Sequence, residues 1–446
     1  MKLPQQVLFA VDRLQGAGFA CHVVGGCVRD SLLGLSPHDW DLTTNALPQQ
    51  VSAVFADHRV IPTGEKHGTV TVLIESMPLE ITTYRVEGAY RDHRRPDEVR
   101  FVSEITEDLR RRDFTVNAMA WEPHGGLCDP FGGEADLQNK LLRCVGVAEE
   151  RFNEDALRVL RALRFAATYG FTIEESTAQA LFSCAPLLSA VSAERIQAEL
   201  NRLLVGDYAG RVLRQFAAVL YPVLPELEKM AGVWQYNPYH DKDVLEHTIA
   251  ALESSPPVLP VRLALLLHDC GKPGAFEQIR EGFGHFPNHP AIGAEMAHAA
   301  LRRLRYDNRT IDTVCRLIRH HDDPIPETDA GVRRWIYRLG EQALRWLLDV
   351  KEGDCNGHAA NLPPARKHEL YRLRERIDRV VAEGQCTSAD KLAINGDILL
   401  EAGFPHGKAV GRALQMALDM VLDGECPNDR EALLAALSAQ KHLIIS

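Results

Sequence analysis

A segment near the N-terminus constrains the fold of this 446-residue chain more than any other. A short apolar run at 20–24 breaks at Gly25 and Gly26, a pattern that predicts a strand, a tight turn and the start of a helix. Asp39 and Asp41 follow one residue apart, and side chains at i and i+2 of a strand point to the same face. The segment therefore predicts a small sheet that carries two carboxylates beside a glycine turn.

The residue types of this segment suit a phosphorylated ligand bound together with metal ions. Hard divalent cations prefer carboxylate oxygens, and a turn at Gly25 and Gly26 lets backbone N–H groups approach a phosphate. Arg29, on the first turn of the predicted helix, can meet the same anion as a fixed cation. When it occurs alone, a glycine pair usually indicates an ordinary turn, and an Asp-x-Asp pattern usually indicates a polar surface. Together they predict a nucleoside triphosphate held on two metal ions.

The composition is that of a globular protein with more than one core. The chain is 46% hydrophobic and 25% charged, and its length exceeds one ordinary domain. The first residues lack the apolar core of a signal peptide, and the most apolar stretch, 261–267, is too short to cross a bilayer. Ten cysteines without a C-x-x-C pair argue against a disulfide scaffold or a thiolate zinc site. These features predict a cytoplasmic protein that does not enter the membrane.

The net charge of −11 disfavours a broad nucleic-acid groove, because neutralising phosphates requires excess basic charge. Arginines nevertheless cluster locally. Arg158, Arg161 and Arg164 share one side of a predicted helix, since three-residue steps drift slowly around it. The cluster at 302–309 is interpreted as a solvated helix surface. We expect a limited basic patch that grips a short RNA end.

Secondary-structure patterns predict an α+β fold in four parts. The predicted strands of the head are Ala20–Val24, Trp40–Thr43, Thr69–Ile74 and Leu79–Tyr84. From Glu149 onward apolar residues recur at helical spacing and no strand is predicted. The predicted parts are a nucleotide-binding head at 1–148, a helical neck at 149–225, a helical body at 226–362 and a C-terminal helical tail at 363–446. The tail is expected to contact RNA.

Five motifs occur in a fixed order along the head and neck. The first runs from Gly25 to Asp30 and continues through Leu32–Gly34 and Asp39–Thr44. The others are Arg111–Ala118, Asp129–Leu137, Glu154–Arg161 and Glu194–Leu200. In this order they resemble the motifs of the class II tRNA nucleotidyltransferase and poly(A) polymerase family, which has a polymerase-β-like head. The resemblance covers roughly the first half of the chain.

This resemblance implies an enzyme that extends the 3′ end of tRNA with CTP and ATP. It implies that Asp39 and Asp41 are catalytic and hold Mg²⁺. Glu80 is a further candidate as a third carboxylate, with an ordinary strand carboxylate as the alternative. The implied nucleotide-binding residues are Gly25, Gly26, Arg29, Arg112, Asp113, Asp155, Arg158, Arg161 and Arg164.

Asp155 and Arg158 predict how bases are chosen without a template. At i and i+3 of a helix, a carboxylate acceptor and a guanidinium donor would form one recognition edge. Cytosine and adenine both carry an exocyclic amino donor beside a ring-nitrogen acceptor, whereas uracil and guanine reverse that order. The edge would therefore accept C and A. The alternative is a helix-surface salt bridge, but the surrounding motif favours recognition.

A second set of residues follows the order H…HD…D and resembles the HD phosphohydrolase superfamily. The set consists of His247, His268, Asp269 and Asp354, with His289 and His321 as further candidates for a second metal or a phosphate. Imidazole and carboxylate ligands are typical of Ni, Mn, Co, Fe or Mg sites rather than of a thiolate zinc site. The resemblance implies hydrolysis of phosphate monoesters or 2′,3′-cyclic phosphates.

The leading interpretation is a CCA-adding tRNA nucleotidyltransferase with an HD-type body. Relatives that add only CC resemble this family but have a shortened loop where Tyr90–Pro96 is intact here. The loop favours full CCA addition or addition of A alone, and the motifs do not separate these two. A poly(A) polymerase is a further alternative. An HD hydrolase whose head only binds RNA is disfavoured, because such a module has no need of Asp39 and Asp41.

Overall fold

The computed structural model describes residues 1–87, 99–236, 241–280, 283–358 and 365–445. Backbone contacts divide the chain into two compact units, 1–225 and 226–446. The predicted loop at Tyr90–Pro96 lies outside the described residues. The division into four parts stays a prediction.

A seven-stranded mixed sheet forms the centre of the first unit. Its strands are β1 (Cys21–Val24), β2 (Asp41–Thr44), β3 (Arg59–Gly64), β4 (Thr69–Ile74), β5 (Met77–Thr83), β8 (Ala120–Glu122) and β9 (Gly126–Cys128). Their spatial order is β3-β4-β5-β2-β1-β8-β9. Neighbours are antiparallel except β2 and β5, which are parallel. Separate short pairs join β6 (Arg85–Glu87) to β7 (Val99–Phe101), and β10 (Leu141–Leu142) to β11 (Thr172–Ile173).

Helices surround this sheet and continue beyond it. They are α1 (Gln5–Gly16), α2 (Gly26–Leu32), α3 (Pro48–Val54), α4 (Ile105–Arg110), α5 (Gly133–Gln138), α6 (Ala148–Glu154), α7 (Leu157–Tyr169), α8 (Glu175–Cys184), α9 (Ala193–Leu204) and α10 (Ala209–Phe216). The apolar pattern explains the packing: Val70, Val72 and Ile74 alternate along β4 and are all buried. On α7, Leu160 and Leu163 are buried in the core at helical spacing.

The second unit is mainly helical. Its elements are α11 (Pro225–Met230), which begins at the division, α12 (Val244–Glu253), α13 (Leu259–Leu267), α14 (Lys272–Ala275), β12 (Glu277–Arg280), β13 (Phe283–His285), α15 (His289–Arg303), α16 (Asn308–His320), α17 (Asp329–Leu339), α18 (Glu341–Gly357), α19 (Ala365–Ala382), α20 (Gly396–Glu401), α21 (Lys408–Asp423), α22 (Arg430–Ala439) and α23 (Lys441–Ile445). Asp243 begins α12 in a capping box with Glu246. Residues 263–267 of α13 are all buried, which fixes the polar residues that follow them.

A mixed sheet followed by a helical body confirms the predicted α+β class. The expectation of no strand after Glu149 is wrong. β11 is a two-residue strand whose partner, β10, lies far away in sequence, so no local pattern marks it. β12 and β13 form a hairpin from a polar segment of low strand propensity. Among the helices described, none is both long and apolar enough to cross a membrane.

Candidate functional site

Three carboxylates of the first unit lie near the start of β2, where this strand pairs with the middle of β5. Asp41 begins β2, and its register partner on the parallel strand β5 is Glu80. Asp39 lies two residues before the strand begins, so strand alternation does not by itself set its direction. Burial raises the pKa of Asp41; the Arg112 guanidinium lowers it, and Glu80 and Asp39 raise it further. The three carboxylates therefore share one electrostatic environment.

This cluster fits a hard divalent cation. Asp39 and Glu80 are exposed, and repulsion among the carboxylates disfavours an ionised Asp41 unless a cation balances it. In the parts of the chain that the structure describes, groups of three ligand atoms within 4.8 Å of one another lie in the second unit and not here. Mg²⁺ commonly binds one or two carboxylates and takes its other ligands from substrate phosphates and water. An open set of this kind suits that mode.

A partly buried cation lies beside the glycine turn. Gly25 has a φ of 84°, which favours glycine, and a Cβ atom there would lie 2.7 Å from Nη1 of Arg112. Nε of Arg112 is buried without a hydrogen-bond partner, and Nη2 lies 3.9 Å from Oδ2 of Asp108. Burial lowers the pKa of Arg112, whereas Asp108 raises it. Arg112 is therefore placed to meet an anionic ligand at the turn.

Arg29 differs, because its guanidinium is occupied by protein contacts. Its Nη1 donates to Oδ1 of Asn117 and its Nη2 donates to the Tyr169 hydroxyl, both at 2.6 Å. Its Nε donates to Oδ1 of Asp30 at 2.9 Å. The Tyr169 ring centroid lies 4.5 Å from Cζ of Arg29. Arg29 thus ties α2 to α7, and the predicted phosphate contact would require some of these bonds to break.

Asp113 fixes the second motif against α7. Its Oδ2 accepts hydrogen bonds from Nε and Nη2 of Arg161 at 2.8 and 2.6 Å. Its Oδ1 accepts one from Nδ2 of Asn117 at 3.0 Å. Burial opposes ionisation, but the Arg161 guanidinium outweighs it and holds the pKa of Asp113 well below its usual range. Further along α7, Nε of Arg164 lies 2.7 Å from Oε2 of Glu199. These predicted nucleotide-binding residues are held by ion pairs within the protein.

A break in the helix separates Asp155 from Arg158. Helix α6 ends at Glu154, Asp155 has extended angles (φ −134°, ψ 102°), and α7 begins at Leu157. The expectation that both residues lie on one helix is therefore wrong. Oδ1 of Asp155 accepts the Leu157 N–H at 3.1 Å, so this carboxylate caps the next helix.

Each half of the predicted edge has its own protein partner. Oδ2 of Asp155 accepts a hydrogen bond from Nη2 of Arg195 at 2.8 Å. Nη1 of Arg158 donates to Oε2 of Glu154 at 2.7 Å, and its Nη2 donates to the Arg111 carbonyl at 2.9 Å. Arg158 thereby joins α7 to the second motif.

In the second unit the H…HD…D residues converge on a buried cluster. His247 lies on α12, His268 and Asp269 follow α13, and Asp354 lies on α18. Nε2 of His247 is 2.9 Å from Oδ1 of Asp354, and Nε2 of His268 is 3.2 Å from Oδ2 of Asp269. His247, His268 and Asp354 can each offer one ligand atom within 4.8 Å of the others. The structure therefore brings together residues that are up to 107 positions apart in sequence.

His289 and His321 adjoin this cluster together with Asp322. One ligand atom from each of the three lies within 4.8 Å of the others, and His321 also belongs to a group with His268 and Asp269. Asp269 stands between the groups. Its Oδ1 is 3.5 Å from Nε2 of His289, whereas its Oδ2 is 2.7 Å from Nζ of Lys272.

Backbone carbonyls orient three of these imidazoles. Nδ1 of His268, His289 and His321 lies 2.8, 2.9 and 2.6 Å from the carbonyl oxygen three residues earlier. A ring nitrogen this close to a carbonyl donates its proton, so Nε2 is the nitrogen that can bind a metal when the ring is neutral. Nε2 of His289 and both oxygens of Asp269 are buried without a well-directed hydrogen bond. Converging lone pairs on oriented ligands fit a metal cation.

The charges of the cluster are strongly coupled. Burial alone would lower the pKa of His268, but Asp269 and Asp354 raise it to about 10. Burial lowers the pKa of His321 to about 4. Although burial opposes their ionisation, the neighbouring imidazoles hold the pKa values of Asp269 and Asp354 well below their usual range. The ionised carboxylates are therefore balanced by the protonated His268 ring and by Lys272, and a bound metal cation would take the place of the ring proton.

Three regions of the chain match known protein families. Residues 21–143 match "Poly A polymerase head domain", 170–230 match "Probable RNA and SrmB- binding site of polymerase A", and 289–437 match the tRNA nucleotidyltransferase domain 2. A CCA-adding enzyme of Geobacillus stearothermophilus is 34% identical over 98% of this chain and 97% of that protein. One from Lactobacillus delbrueckii subsp. bulgaricus is 46% identical over 97% of each. The chain belongs to the family of CCA-adding enzymes.

Solved structures of CCA-adding enzymes share the fold. The Bacillus stearothermophilus enzyme in complex with CTP is 29% identical, covers 99% of each chain and has a TM-score of 0.73. The Thermotoga maritima enzyme complexed with tRNA is 20% identical, covers 98% of this chain and 96% of its own, and has a TM-score of 0.60. Membership of the CCA-adding family confirms the predicted class II nucleotidyltransferase resemblance.

Sequence reasoning missed several residues around the candidate sites of this CCA-adding family member. Asp108 is fully buried, and its Oδ1 accepts a hydrogen bond from Nε of Arg111 at 2.9 Å. Asp108 lies three residues before Arg111, a spacing that predicts an ion pair on one turn of a helix. Lys272 could have been predicted to contact Asp269, because it lies one helical turn after it. Asp322 could have been added to the candidate ligands, because it directly follows His321. Tyr169 had none, because only the fold brings it to Arg29.

Proposed function

We propose that the head adds C, C and A in turn to the 3′ end of tRNA, with CTP and ATP as donors. In each step the 3′ oxygen of the RNA forms a bond to the α-phosphorus of the nucleotide, its proton is released, and pyrophosphate leaves. The observation that carries the proposal is the register of Asp41 with Glu80, coupled to Asp39 and Arg112. The relative solved with CTP supports the choice of donor.

The residues of the head have distinct roles in this proposal. Asp39 and Asp41 would hold Mg²⁺, which when bound activates the attacking hydroxyl and neutralises the leaving group. The turn at Gly25 gives backbone access to the triphosphate, and Arg112 supplies a positive charge next to it. Arg29 and Asp113 are both hydrogen-bonded to Asn117, and this network would position the glycine turn and Arg112.

Base choice would reside at the start of α7. Asp155 and Arg158 offer an acceptor and a donor, and each is held by one strong ion pair, to Arg195 and Glu154 respectively. A base that binds this edge must exchange with those partners. Only a base that restores both hydrogen bonds offsets the cost of that exchange, because leaving a buried charged group unpaired is expensive. This requirement would favour C and A.

We expect three tRNA transcripts to distinguish full CCA addition from its alternatives. The transcripts end at the discriminator base, at C, or at CC, and each is incubated with labelled CTP and ATP. A CCA-adding enzyme completes all three and then stops. An enzyme that adds only A extends only the transcript ending in CC, and a poly(A) polymerase adds A repeatedly to every transcript. Either of the latter patterns would contradict the proposal.

Asp155→Ala and Arg158→Ala are expected to weaken discrimination against UTP and GTP. Losing one partner of a buried charged hydrogen bond costs about 1–3 kcal/mol, which corresponds to roughly 5- to 150-fold in relative kcat/KM. The measurement is single-nucleotide incorporation from all four triphosphates. Arg59→Ala, an exposed arginine on β3, is the matched control. If the two variants slow CTP and ATP but retain full base selectivity, the pair has a structural role only.

We further propose a metal-dependent phosphohydrolase at the His247, His268, Asp269 and Asp354 cluster, with His289 and His321 as additional ligands. Support comes from the buried lone pairs that converge there. Their nitrogen and oxygen donor set suits Ni²⁺, Mn²⁺ or Co²⁺. When bound, such a metal activates water for attack on phosphorus. Hydrolysis of a 2′,3′-cyclic phosphate gives a phosphate monoester, and hydrolysis of that monoester releases inorganic phosphate. The two steps together would return damaged RNA 3′ ends to the head as free hydroxyls.

We also propose that the protein works in the cytoplasm. All ten of its cysteines are free. Burial raises the pKa of several of their thiols, that of Cys27 to about 11 and that of Cys144 to about 12. Such thiols are poorly reactive, and their number without a disulfide is typical of a reducing compartment.

A further inference from the structure

A buried lysine of α18 is hydrogen-bonded to the turn that follows α16. Lys351 is 7% exposed. Its Nζ donates to the carbonyl oxygen of His321 at 2.5 Å and to that of Asp323 at 2.7 Å. Helix α16 ends at His320, and the carbonyl groups at the end of a helix have no partner within the helix. Lys351 supplies such a partner, so it fixes the path of the chain through residues 321–323.

The same turn carries two of the candidate metal ligands. His321 and Asp322 form a group of ligand atoms with His289, which we call the outer group. Oδ2 of Asp322 is 3.4 Å from Nε2 of His289, and its Oδ1 is 3.7 Å from Nε2 of His321. Asp322 is exposed, so packing around its side chain restrains it little. The place of this carboxylate therefore depends on the backbone that Lys351 holds.

Lys351 also lies on the same face of α18 as a ligand of a different group. Asp354 follows it by three residues, a spacing that places two side chains next to each other on a helix. Asp354 forms the inner group with His247 and His268. Helix α18 therefore supplies one ligand to the inner group and also holds the backbone that carries two ligands of the outer group. The position of this helix thus sets the distance between the two groups.

The contacts of Lys351 are to this backbone and not to the ligand atoms themselves. Within the part of the chain that the structure describes, Lys351 forms no ion pair, and its hydrogen bonds go to the two carbonyl oxygens. Lys272 differs, because its Nζ lies 2.7 Å from Oδ2 of Asp269. Burying an ammonium group is costly unless it is hydrogen-bonded. In Lys351 that cost is offset by bonds that orient the turn.

We propose that Lys351 is a positioning residue that makes the outer group a second metal position. With the turn held, His321 and Asp322 stay close enough to His289 for one cation to bind all three. Without Lys351 the turn would be free to move, and only the inner group would keep its ion. The inference rests on the proposed phosphohydrolase, whose second metal the outer group would hold. Replacing a group that orients metal ligands without touching the metal typically weakens metal binding by about 10- to 100-fold.

The test measures metal binding instead of turnover. The full-length protein is titrated with Ni²⁺ by calorimetry, and bound metal is counted by elemental analysis after equilibrium dialysis. Asp322→Ala removes a ligand of the outer group and should bind one ion fewer than the wild-type protein. Lys351→Met, which cannot donate a hydrogen bond, should bind that ion about 10- to 100-fold more weakly and leave the ion of the inner group unchanged. Lys367→Met, at an exposed lysine on α19, is the control and should alter neither ion.

Two further variants separate positioning from a general structural role. Lys351→Arg can still donate to both carbonyl oxygens and should bind the second ion at least about tenfold more tightly than Lys351→Met does. Combining Lys351→Met with Asp322→Ala should remove no more metal than Asp322→Ala alone, because both changes act on the same ion. Thermal unfolding checks that each variant folds. If Lys351→Met does not unfold cooperatively, Lys351→Gln takes its place in every comparison.

Unchanged Ni²⁺ binding in Lys351→Met would overturn the inference, as would loss of both ions or a Lys351→Arg variant that binds no better than Lys351→Met. A variant with both His268→Ala and Asp269→Ala separates this failure from that of the phosphohydrolase. If that variant loses metal but Asp322→Ala does not, the outer group holds no ion, and only the present inference fails. If neither loses metal, both proposals fail. The head is identical in all these proteins, so its own metal binding cancels in the comparison.

Discussion

Replacing Asp41 or Asp39 by alanine is expected to abolish nucleotide addition while tRNA binding persists. Asp41 is the partly buried member of the carboxylate cluster and the register partner of Glu80, so its loss removes a metal ligand at the centre of the site. Metal ions contribute several kcal/mol to stabilising the transition state, which predicts a fall in kcat of at least about 10³-fold. Binding of tRNA depends on other surfaces and should change little.

The measurement is incorporation of labelled CTP and ATP into tRNA, with binding followed separately by filter retention. Asp12→Ala provides the control, since Asp12 is an exposed carboxylate on α1 of the same unit. Glu80→Ala extends the test to the third carboxylate. A large loss would assign Glu80 to the metal site, and near-normal activity would leave it an ordinary strand residue. Retained incorporation in both aspartate variants would remove the basis for the proposed active site.

Converting His268 and Asp269 together to alanine is expected to eliminate any phosphohydrolase activity, with CCA addition unchanged. Among the described residues there are three candidate metal groups, and His268 belongs to two of them. Asp269 belongs to one and lies 3.5 Å from His289 of another, so the double variant affects the whole cluster. Loss of metal chemistry at this site should reduce hydrolysis by at least about 10³-fold. The two activities should separate, because the residues lie in different compact units.

Hydrolysis is assayed with 2′,3′-cyclic AMP and p-nitrophenyl phosphate in Ni²⁺, Mn²⁺, Co²⁺ and Mg²⁺ in turn, and bound metal is measured by elemental analysis. His298→Ala, an exposed histidine on α15, controls for loss of an imidazole. Thermal unfolding of the double variant checks that the buried cluster still folds. If the folded wild-type protein contains no transition metal and hydrolyses neither compound, the cluster has no catalytic role.

The sequence predicted which residues of the second unit lie close together better than it predicted the hydrogen-bond partners of the residues in the first unit. The four head strands that were predicted begin and end within two residues of their predicted bounds, whereas β3, β8 and β9 of the same sheet were not predicted. The ordered histidines and aspartates of the body do converge. These successes rest on local signals, namely period-two alternation and the residue types that metal chemistry requires. Neither signal depends on a distant partner.

The hydrogen bonds that were not predicted either join residues far apart in sequence or depend on which of several partners a side chain selects. Arg29 was expected to face a phosphate, yet Asn117 and Tyr169, 88 and 140 positions away, occupy its guanidinium. Asp155 was expected to continue a helix, but its carboxylate instead caps the next one. A short polar residue can satisfy either arrangement, and tertiary partners such as Arg195 decide between them. No pattern in a single sequence encodes that choice.

The hydrogen bonds and the ion pair that join residues 1–148 of the first unit to α7 determine which pieces of this protein can be exchanged. Asp113 binds Arg161, Arg29 binds Tyr169, and Arg158 binds the Arg111 carbonyl, so each contact spans residue 148. A fragment that ended there would leave Asp113 without its ion-pair partner Arg161, at a cost of about 3–5 kcal/mol if Asp113 stayed buried. It would also remove the Tyr169 contact of Arg29. A hybrid that grafted only the catalytic sheet onto another family member would inherit this penalty. The transferable part is therefore residues 1–225 as a whole, and specificity would travel with catalysis.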